Sequence, residues 1–295
     1  MKLRNNDAKG IVCILLAALG FALMTFCVRL SGDVPTMEKA FFRNAFAAVI
    51  ACVSLLRSED KFKIKSGCFK YIFFRCLFGT TGLLCNFYAI DNMPLADANM
   101  LNKLSPFFAI IASIPILKEK PTKIDITTTV VAFMGVLLIT RPSADVNMLP
   151  AIAGVWGGAG AGIAYTFVRL LGRKGERTSI IVLCFSIFSC MLSAPFMIFN
   201  FKPMEFWQLG CLIAAGIFAA VAQFSITSAY KFAPARKIGV FDNTQVVFSA
   251  LLAITFLGEI PEVLSVAGYI IIIGMAVFRW YWNLKHEQPE EATAS

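Results

Sequence analysis

Asn99, Asn102, Lys103 and Pro106 follow one another at i, i+3, i+4 and i+7, the spacing that lines side chains along one face of a helix. They do so inside an otherwise apolar stretch. At the positions 140 residues further on stand Gly239, Asp242, Asn243 and Val246, with Gln245 beside them. Amides, an amine and a carboxylate donate, accept and hold charge. Such a set suits recognition of a polar solute rather than bond-making. An enzyme would need a nucleophile with its base, or a metal set; HExxH is absent, and the single histidine, His286, lies in the C-terminal tail. Of the nine cysteines, Cys13, Cys27, Cys52, Cys76, Cys85, Cys184, Cys190 and Cys211 fall in apolar stretches and none makes a CxxC pair. They read as small packing residues, not as metal ligands or disulfides. No catalytic residue, metal or cofactor is implied.

Composition decides what surrounds these residues. Charged residues are 15% of the chain and apolar ones 58%, with 28 phenylalanines, where a soluble domain carries roughly 25% and 45–50%. A hydrocarbon core about 30 Å thick takes about 20 apolar residues per helix. The chain divides into ten such blocks, at 10–30, 36–56, 68–90, 95–117, 122–140, 150–171, 178–200, 205–230, 236–257 and 262–283. The expectation is an all-α membrane protein of ten transmembrane helices. A basic start before an apolar block also describes a signal peptide, but no small-residue cleavage pattern follows Arg29, so the first block is expected to be retained.

Loop charges orient the helices, because basic loops stay inside. Lys2, Arg4 and Lys9 precede the first block, and Arg57, Lys61, Lys63, Lys65 and Lys70 follow the second. Lys118, Lys120 and Lys123 follow the fourth, Arg173, Lys174 and Arg177 the sixth, and Lys231, Arg236 and Lys237 the eighth. Exits of odd-numbered blocks carry instead Asp33, then Asp91 with Asp97, Arg141 with Asp145, Lys202 with Glu205, and Glu259 with Glu262. Both termini are therefore expected in the cytoplasm, with the chain in a cell (inner) membrane. The net charge of +9 reports this topology and signals neither an anionic substrate nor a nucleic acid.

The stretch from Pro94 to Pro121 is written again from Pro234 to Pro261 without a gap, pairing Phe108 with Phe248, Leu117 with Leu257 and Glu119 with Glu259. The same offset lays Gly20 on Gly160 and Val28-Arg29-Leu30 on Val168-Arg169-Leu170. The repeat unit is thus about half the chain, 1–145 and 146–285, followed by a polar tail, 286–295, expected to be disordered. The first copy ends in Leu117-Lys118-Glu119-Lys120-Pro121 and the second in Leu257-Gly258-Glu259-Ile260-Pro261, without a basic residue. Equivalent ends therefore belong on opposite faces. Five helices per half, an odd number, put the second half upside down: an inverted-topology repeat around a central cavity, a construction many secondary transporters share.

Candidates to line that cavity are Asn99, Asn102, Lys103, Asp242, Asn243 and Gln245, together with Arg43, Asn86, Tyr88, Tyr165 and Gln223. Each has a plainer reading. Arg43 can snorkel or pair with Glu38, Arg29 and Arg169 stand near span ends, and lone polar groups in membrane helices bond their own backbone. Gly154, Gly157, Gly158, Gly160 and Gly162 are close-packing residues first. Pro106 and Pro115 interrupt the fourth helix, whereas the ninth lacks both. The fifth and tenth spans carry little polar content, so they are expected to face lipid or a second copy in a homodimer. Lys103, nine residues past Pro94, lies roughly 13 Å deep, and Asp242, eight past Pro234, roughly 12 Å from the opposite face. Both approach the midplane, where a charge needs a partner or water. Either they neutralise one another as a structural pair, or they hold opposite ends of a zwitterionic or strongly polar substrate.

Phe41-Phe42-Arg43, Phe87-Tyr88-Ala89, Pro94-Leu95-Ala96-Asp97-Ala98, Leu101-Asn102 leading to Ser105-Pro106-Phe107, Leu117-Lys118-Glu119 and Phe256-Leu257-Gly258-Glu259 together resemble the repeat signature of the drug/metabolite transporter superfamily, in its EamA-like branch. The resemblance covers essentially the whole chain. It implies ten helices in two inverted five-helix repeats, and export or exchange of small metabolites such as amino acids, bases or their analogues. Lys103 departs from the apolar or small residue usual after the family's Leu-Asn pair, so no particular substrate is carried over. The contrasting reading from another class is a non-transporting membrane scaffold or lipid scramblase.

The loop charges make a direct prediction. Lys63→Cys and Glu262→Cys, each in a background without accessible native thiols, should be labelled by an impermeant maleimide from opposite sides of the membrane. Labelling from the same side would remove the inverted arrangement.

Overall fold

A computed structural model describes residues 5–58, 62–118, 122–140, 148–199, 201–233 and 235–285. The expected tail at 286–295, the linker around Asp145, the Glu119 to Pro121 end of the first copy and Pro234 lie outside the described residues. Among the described residues there is no strand. The helices are α1 (Asn5–Leu30), α2 (Thr36–Leu56), α3 (Phe69–Asn92), α4 (Leu95–Asn102), α5 (Ser105–Leu117) and α6 (Lys123–Thr140), then α7 (Leu149–Arg173), α8 (Thr178–Phe199), α9 (Phe206–Phe232), α10 (Ala235–Asp242), α11 (Thr244–Leu252), a π-helical turn (Ala253–Leu257) and α12 (Val263–Lys285). Nine helical stretches among the described residues are long and apolar enough to cross a membrane, α4 with α5 counting as one. The block expected at 122–140 is α6, an 18-residue helix whose first turn carries Lys123 and Asp125, and it is not one of the nine.

The fourth and ninth blocks are each interrupted within their length, at repeat-related positions. Lys103 N–H donates to the Met100 carbonyl at 2.9 Å, and Asn243 N–H donates to the Val240 carbonyl at 3.2 Å, so both helices tighten into an i to i+3 turn there. Pro106, in the first turn of α5, explains one break, since it has no N–H to return to the carbonyl of Asn102. The second break lacks a proline altogether. The interruption is therefore duplicated even though the expected cause is present in only one copy. The copies also end alike, on a left-handed residue: Lys118 at φ 57° and Gly258 at φ 66°. Glycine adopts that conformation freely, and lysine at a cost of about 1–2 kcal/mol.

Packing exchanges partners between the halves. α1 lies against α9, α10 and α11, while α7 lies against α3, α4 and α5; α2 packs on α8 and α6 on α12. Every one of these pairings maps onto another, or onto itself, under the repeat offset. Glycines make the interlock close. A side chain at Gly20 would meet the Phe218 carbonyl at 3.2 Å and the Ala222 methyl at 3.1 Å, and one at the equivalent Gly160 would meet the Phe78 carbonyl at 2.7 Å and Gly82 Cα at 2.8 Å. Gly158 is equally tight, with the Leu101 carbonyl 2.7 Å from where a Cβ would stand. The helices thus touch backbone to backbone, the arrangement that small residues permit in membranes. α6 and α12 meet in the same way at Gly135 and Gly268, each keeping another face exposed at residues such as Val130, Met134 and Ile270.

Hydrogen bonds tie the loops together at the two ends. At one end Arg177 donates to Ser58 Oγ at 3.0 Å and to the Lys63 carbonyl at 2.9 Å, and Glu176 accepts from Lys65 N–H at 2.9 Å. At the other end Glu259 pairs with Arg29 at 2.7 Å and accepts from Leu95 N–H at 2.9 Å, while Arg29 also donates to the Ile90 carbonyl. There too Lys202 donates to the Asp33 carbonyl and, from its backbone, to Glu38. Arg29 is accordingly an ion-pair partner rather than a snorkelling side chain.

Gly158→Ala should destabilise the protein by about 1–3 kcal/mol, because the added methyl pushes on a backbone carbonyl that cannot give way locally. Gly210→Ala, where a Cβ meets nothing within 4 Å, should leave the melting temperature unchanged or slightly raised. Thermal unfolding in detergent or nanodiscs measures both.

Candidate functional site

A cavity lies where α1, α2, α3, α7, α8 and α9 surround the two helix breaks. It is lined by Met24, Thr25, Arg43, Arg75, Asn86, Asn102, Lys103, Tyr165, Phe185, Gln223 and Gln245, among others. About 60 Å³ of it is open to the centre of a water-sized sphere, room for a few waters. α3 builds one wall from Arg75, Gly79, Gly82 and Asn86, a stripe at i, i+4, i+7 and i+11 on a single helix face. Gly157 of α7 closes against Asn86, and Tyr165, two turns further on, stacks on Tyr230 with ring centroids 4.8 Å apart.

At the cavity edge Lys103 Nζ donates to Asp242 Oδ2 at 2.7 Å, with both side chains 3% exposed. Of the two readings of these residues, the geometry is that of a pair bound to one another. Helix breaks make it possible: each residue stands at the tightened turn, so the lysine of one half meets the aspartate of the other. Asp242 itself does not line the cavity, and its Oδ1 has no hydrogen-bond partner among the described residues. Asn99 is likewise fully buried away from the cavity, donating to Thr25 Oγ1 at 3.3 Å and Ser249 Oγ at 3.2 Å and accepting from Gln245 Nε2 at 3.1 Å. It clamps α4 to α1 and α11. Asn243 points into a separate apolar groove with Val240, Phe241, Val247, Ile273 and Trp280. Tyr88, two residues beyond Asn86, is turned away from the stripe that faces the cavity and does not line it. Seven of the eleven expected residues, Arg43, Asn86, Asn102, Lys103, Tyr165, Gln223 and Gln245, share one cavity.

Arg43 is fully buried and does not pair with Glu38. It donates to Asn44 Oδ1 at 2.6 Å and to Met24 Sδ at 3.3 Å, and its Nη2 has no partner among the described residues. Arg75, which the sequence places near an interface, is 2% exposed; it donates to Gln223 Oε1 at 3.2 Å and leaves Nε unbonded among them. The two guanidinium carbons lie over the same Phe185 ring, 5.8 and 4.2 Å from its centroid. Arg75 and Phe185 are the site residues that sequence reasoning missed. The signal that would have found Arg75 is its place at the head of the stripe through Gly79, Gly82 and Asn86.

A helical bundle with membrane-spanning segments, interlocked halves and a buried polar cavity at their junction is the architecture of an integral membrane solute transporter. The chain belongs to the EamA-like transporter family, whose profile matches it twice, at residues 8–141 and 148–280. The family is one of transporters, not enzymes, and the resemblance to drug/metabolite transporters holds across the chain. The pseudopaline exporter CntI of Pseudomonas aeruginosa is 28% identical over 90% of this chain and 93% of its own. Solute carrier family 35 member G1 of Homo sapiens is 25% identical over 94% of this chain and 81% of its own, and a riboflavin transporter of Vibrio cholerae is 25% identical over the full length of both. A crystal structure with a TM-score of 0.68 at 17% identity, covering 95% of this chain and 99% of that one, shares the fold.

The Lys103 and Asp242 pair should couple strongly. Lys103→Met or Asp242→Asn alone strands a buried charge and should cost about 3–5 kcal/mol, whereas the double replacement should lie near the wild type. Additive losses in thermal unfolding would show that the two side chains are independent.

Proposed function

We propose that this chain is a secondary transporter of small polar metabolites, working by alternating access, with ten spans arranged as two inverted five-helix repeats, 1–145 and 146–285, in the cell membrane. The observation that carries the reading is the cavity: a polar chamber at mid-membrane, built by both halves at the point where a helix of each is interrupted. Broken helices at membrane depth are tolerated where they line such a chamber, and there they place unpaired backbone and side-chain groups at a substrate. Asn86, Asn102, Tyr165, Gln223 and Gln245 supply hydrogen bonds, and Arg43 and Arg75 supply charge, the Lys103 ammonium being paired with Asp242.

The inverted arrangement is supported by the loop contacts. Loops after the second and sixth expected spans meet at one end through Ser58, Lys63, Lys65, Glu176 and Arg177, and loops after the first, third, seventh and ninth meet at the other through Arg29, Leu95, Lys202 and Glu259. Cytoplasmic termini follow if the basic end faces the cytoplasm. In this reading one set of these loop bonds opens to admit a metabolite to the cavity.

Proteoliposomes loaded with a mixture of polar metabolites test the reading. Protein-dependent release of particular solutes, read by mass spectrometry, is the expected result, with fluorescent lipid staying in its leaflet. Lipid movement without solute release would make the chain a scramblase, and neither would leave a scaffold.

A further inference from the structure

We infer that the central cavity takes a solute with at least two negative charges, carboxylate or phosphate, held between Arg43 and Arg75. The inference rests on the cavity being the transport site. Arginine does not lose its proton in proteins, so both side chains are cations wherever they lie. Both are almost wholly buried, at 0% and 2% exposure, and both line the cavity. Neither forms an ion pair among the described residues. Their partners are a neutral amide and a thioether for Arg43 and a neutral amide for Arg75, and each keeps one nitrogen unbonded.

The carboxylates nearby each have a partner other than the arginines, although Oε2 of Glu38 and Oδ1 of Asp242 have none among the described residues. Asp242 is taken by Lys103, Asp91 by Lys39 at 2.6 Å and Thr36, and one oxygen of Glu38 by the backbone of Lys202. Lys103 and Asp242 cancel, which leaves the two arginines as the uncompensated charge of the chamber. A buried cation without a counter-ion is strongly unfavourable, and an isolated one in a membrane segment marks a functional contact. The surroundings also make room for it: the Arg75 guanidinium occupies the space that a side chain at Gly79 would fill, and Phe185 offers its ring face to both cations. Two planar forks around one ring match two carboxylates, or a phosphate and a carboxylate, through paired N–H···O bonds. The unbonded Oδ1 of Asn86 adds an acceptor for a hydroxyl or amine of the same solute.

The test uses the full-length protein in nanodiscs and a bacterial cytosolic metabolite extract split on an anion exchanger, at matched ionic strength. The retained fraction should raise the melting temperature by several degrees and the flow-through should not. Arg43→Gln and Arg75→Gln should each abolish that rise, and without ligand they should melt at or above the wild-type temperature, because each removes an uncompensated charge. A rise with succinate alone assigns carboxylates, and one with glycerol 3-phosphate alone assigns a phosphate. Stabilisation by the flow-through only, or by neither fraction, overturns the inference, as does ligand-free melting of both variants well below the wild type. Release from proteoliposomes separates the two levels: protein-dependent efflux confined to flow-through solutes keeps the transporter and removes the anion, whereas no efflux from either fraction removes the transporter reading itself.

Discussion

A bilayer offers no water to a buried amide or charge, so such a group is costly unless it finds a partner within the protein. That constraint shapes the centre of the molecule. Two helices are interrupted within the bundle, and the side chains at the interruptions, Lys103 and Asp242, meet across the junction of the halves at 2.7 Å. One turn away Asn99 bonds Thr25, Ser249 and Gln245, joining α1, α4 and α11. The pair sits at the two breaks, so the charge of each residue is met where its own helix is interrupted, and the cavity lies beside it.

The duplication built the fold but not the site. Under the repeat offset Arg43 falls on Leu183, Arg75 on Ala215, Asn86 on Ile226 and Gln223 on Leu83. The backbone contacts of Gly20 and Gly160 are repeated nearly atom for atom, while the charged and amide groups of the chamber occur in one copy each. Packing constrains both halves alike, since each must pass its first helix between the later helices of the other. A substrate has no such symmetry. The polar wall is therefore free to differ, and Thr25 and Tyr165, equivalent in sequence and both on the cavity, already show the divergence.

This explains which features were legible from the residues alone. Hydropathy and the gapless repeat carry the helix positions, because every span has to bury about 20 apolar residues. Depth counting along two related helices brought Lys103 and Asp242 to the same level, and the geometry joins them. Arg75 was not legible in the same way: six residues from the start of its helix it counts as interfacial, and only the stripe through Asn86 shows that its long side chain runs inward. Asn99 failed in the opposite direction. It shares a helical face with Lys103 in the sequence, yet the turn at Lys103 re-aims the chain beyond it, and Asn99 is left bonding α1 and α11. The symmetric break at Asn243 had no proline to announce it.

The packing also defines bodies that differ from the sequence halves. Backbone contacts fasten α7 to α3, α4 and α5, with α8 against α3, and fasten α1 to α9, α10 and α11, with α2 against α9. Between these groups lie the pairing of α2 with α8, one of the most extensive helix contacts in the molecule, and the salt bridge of Lys103 with Asp242. Parting the two sequence halves would tear α7 from its glycine seam with α3, α4 and α5. Arg43 stands on α2 and Arg75 on α3, both over the Phe185 ring of α8. A solute with two anionic ends would bridge these helices, each end neutralising a cation that has no ion-pair partner among the described residues. A single carboxylate, with one charge, satisfies only one of them and leaves the other buried without a counter-ion. Binding energy of this kind is realised only when the groups are close, which is how a ligand favours the closed state over the open one.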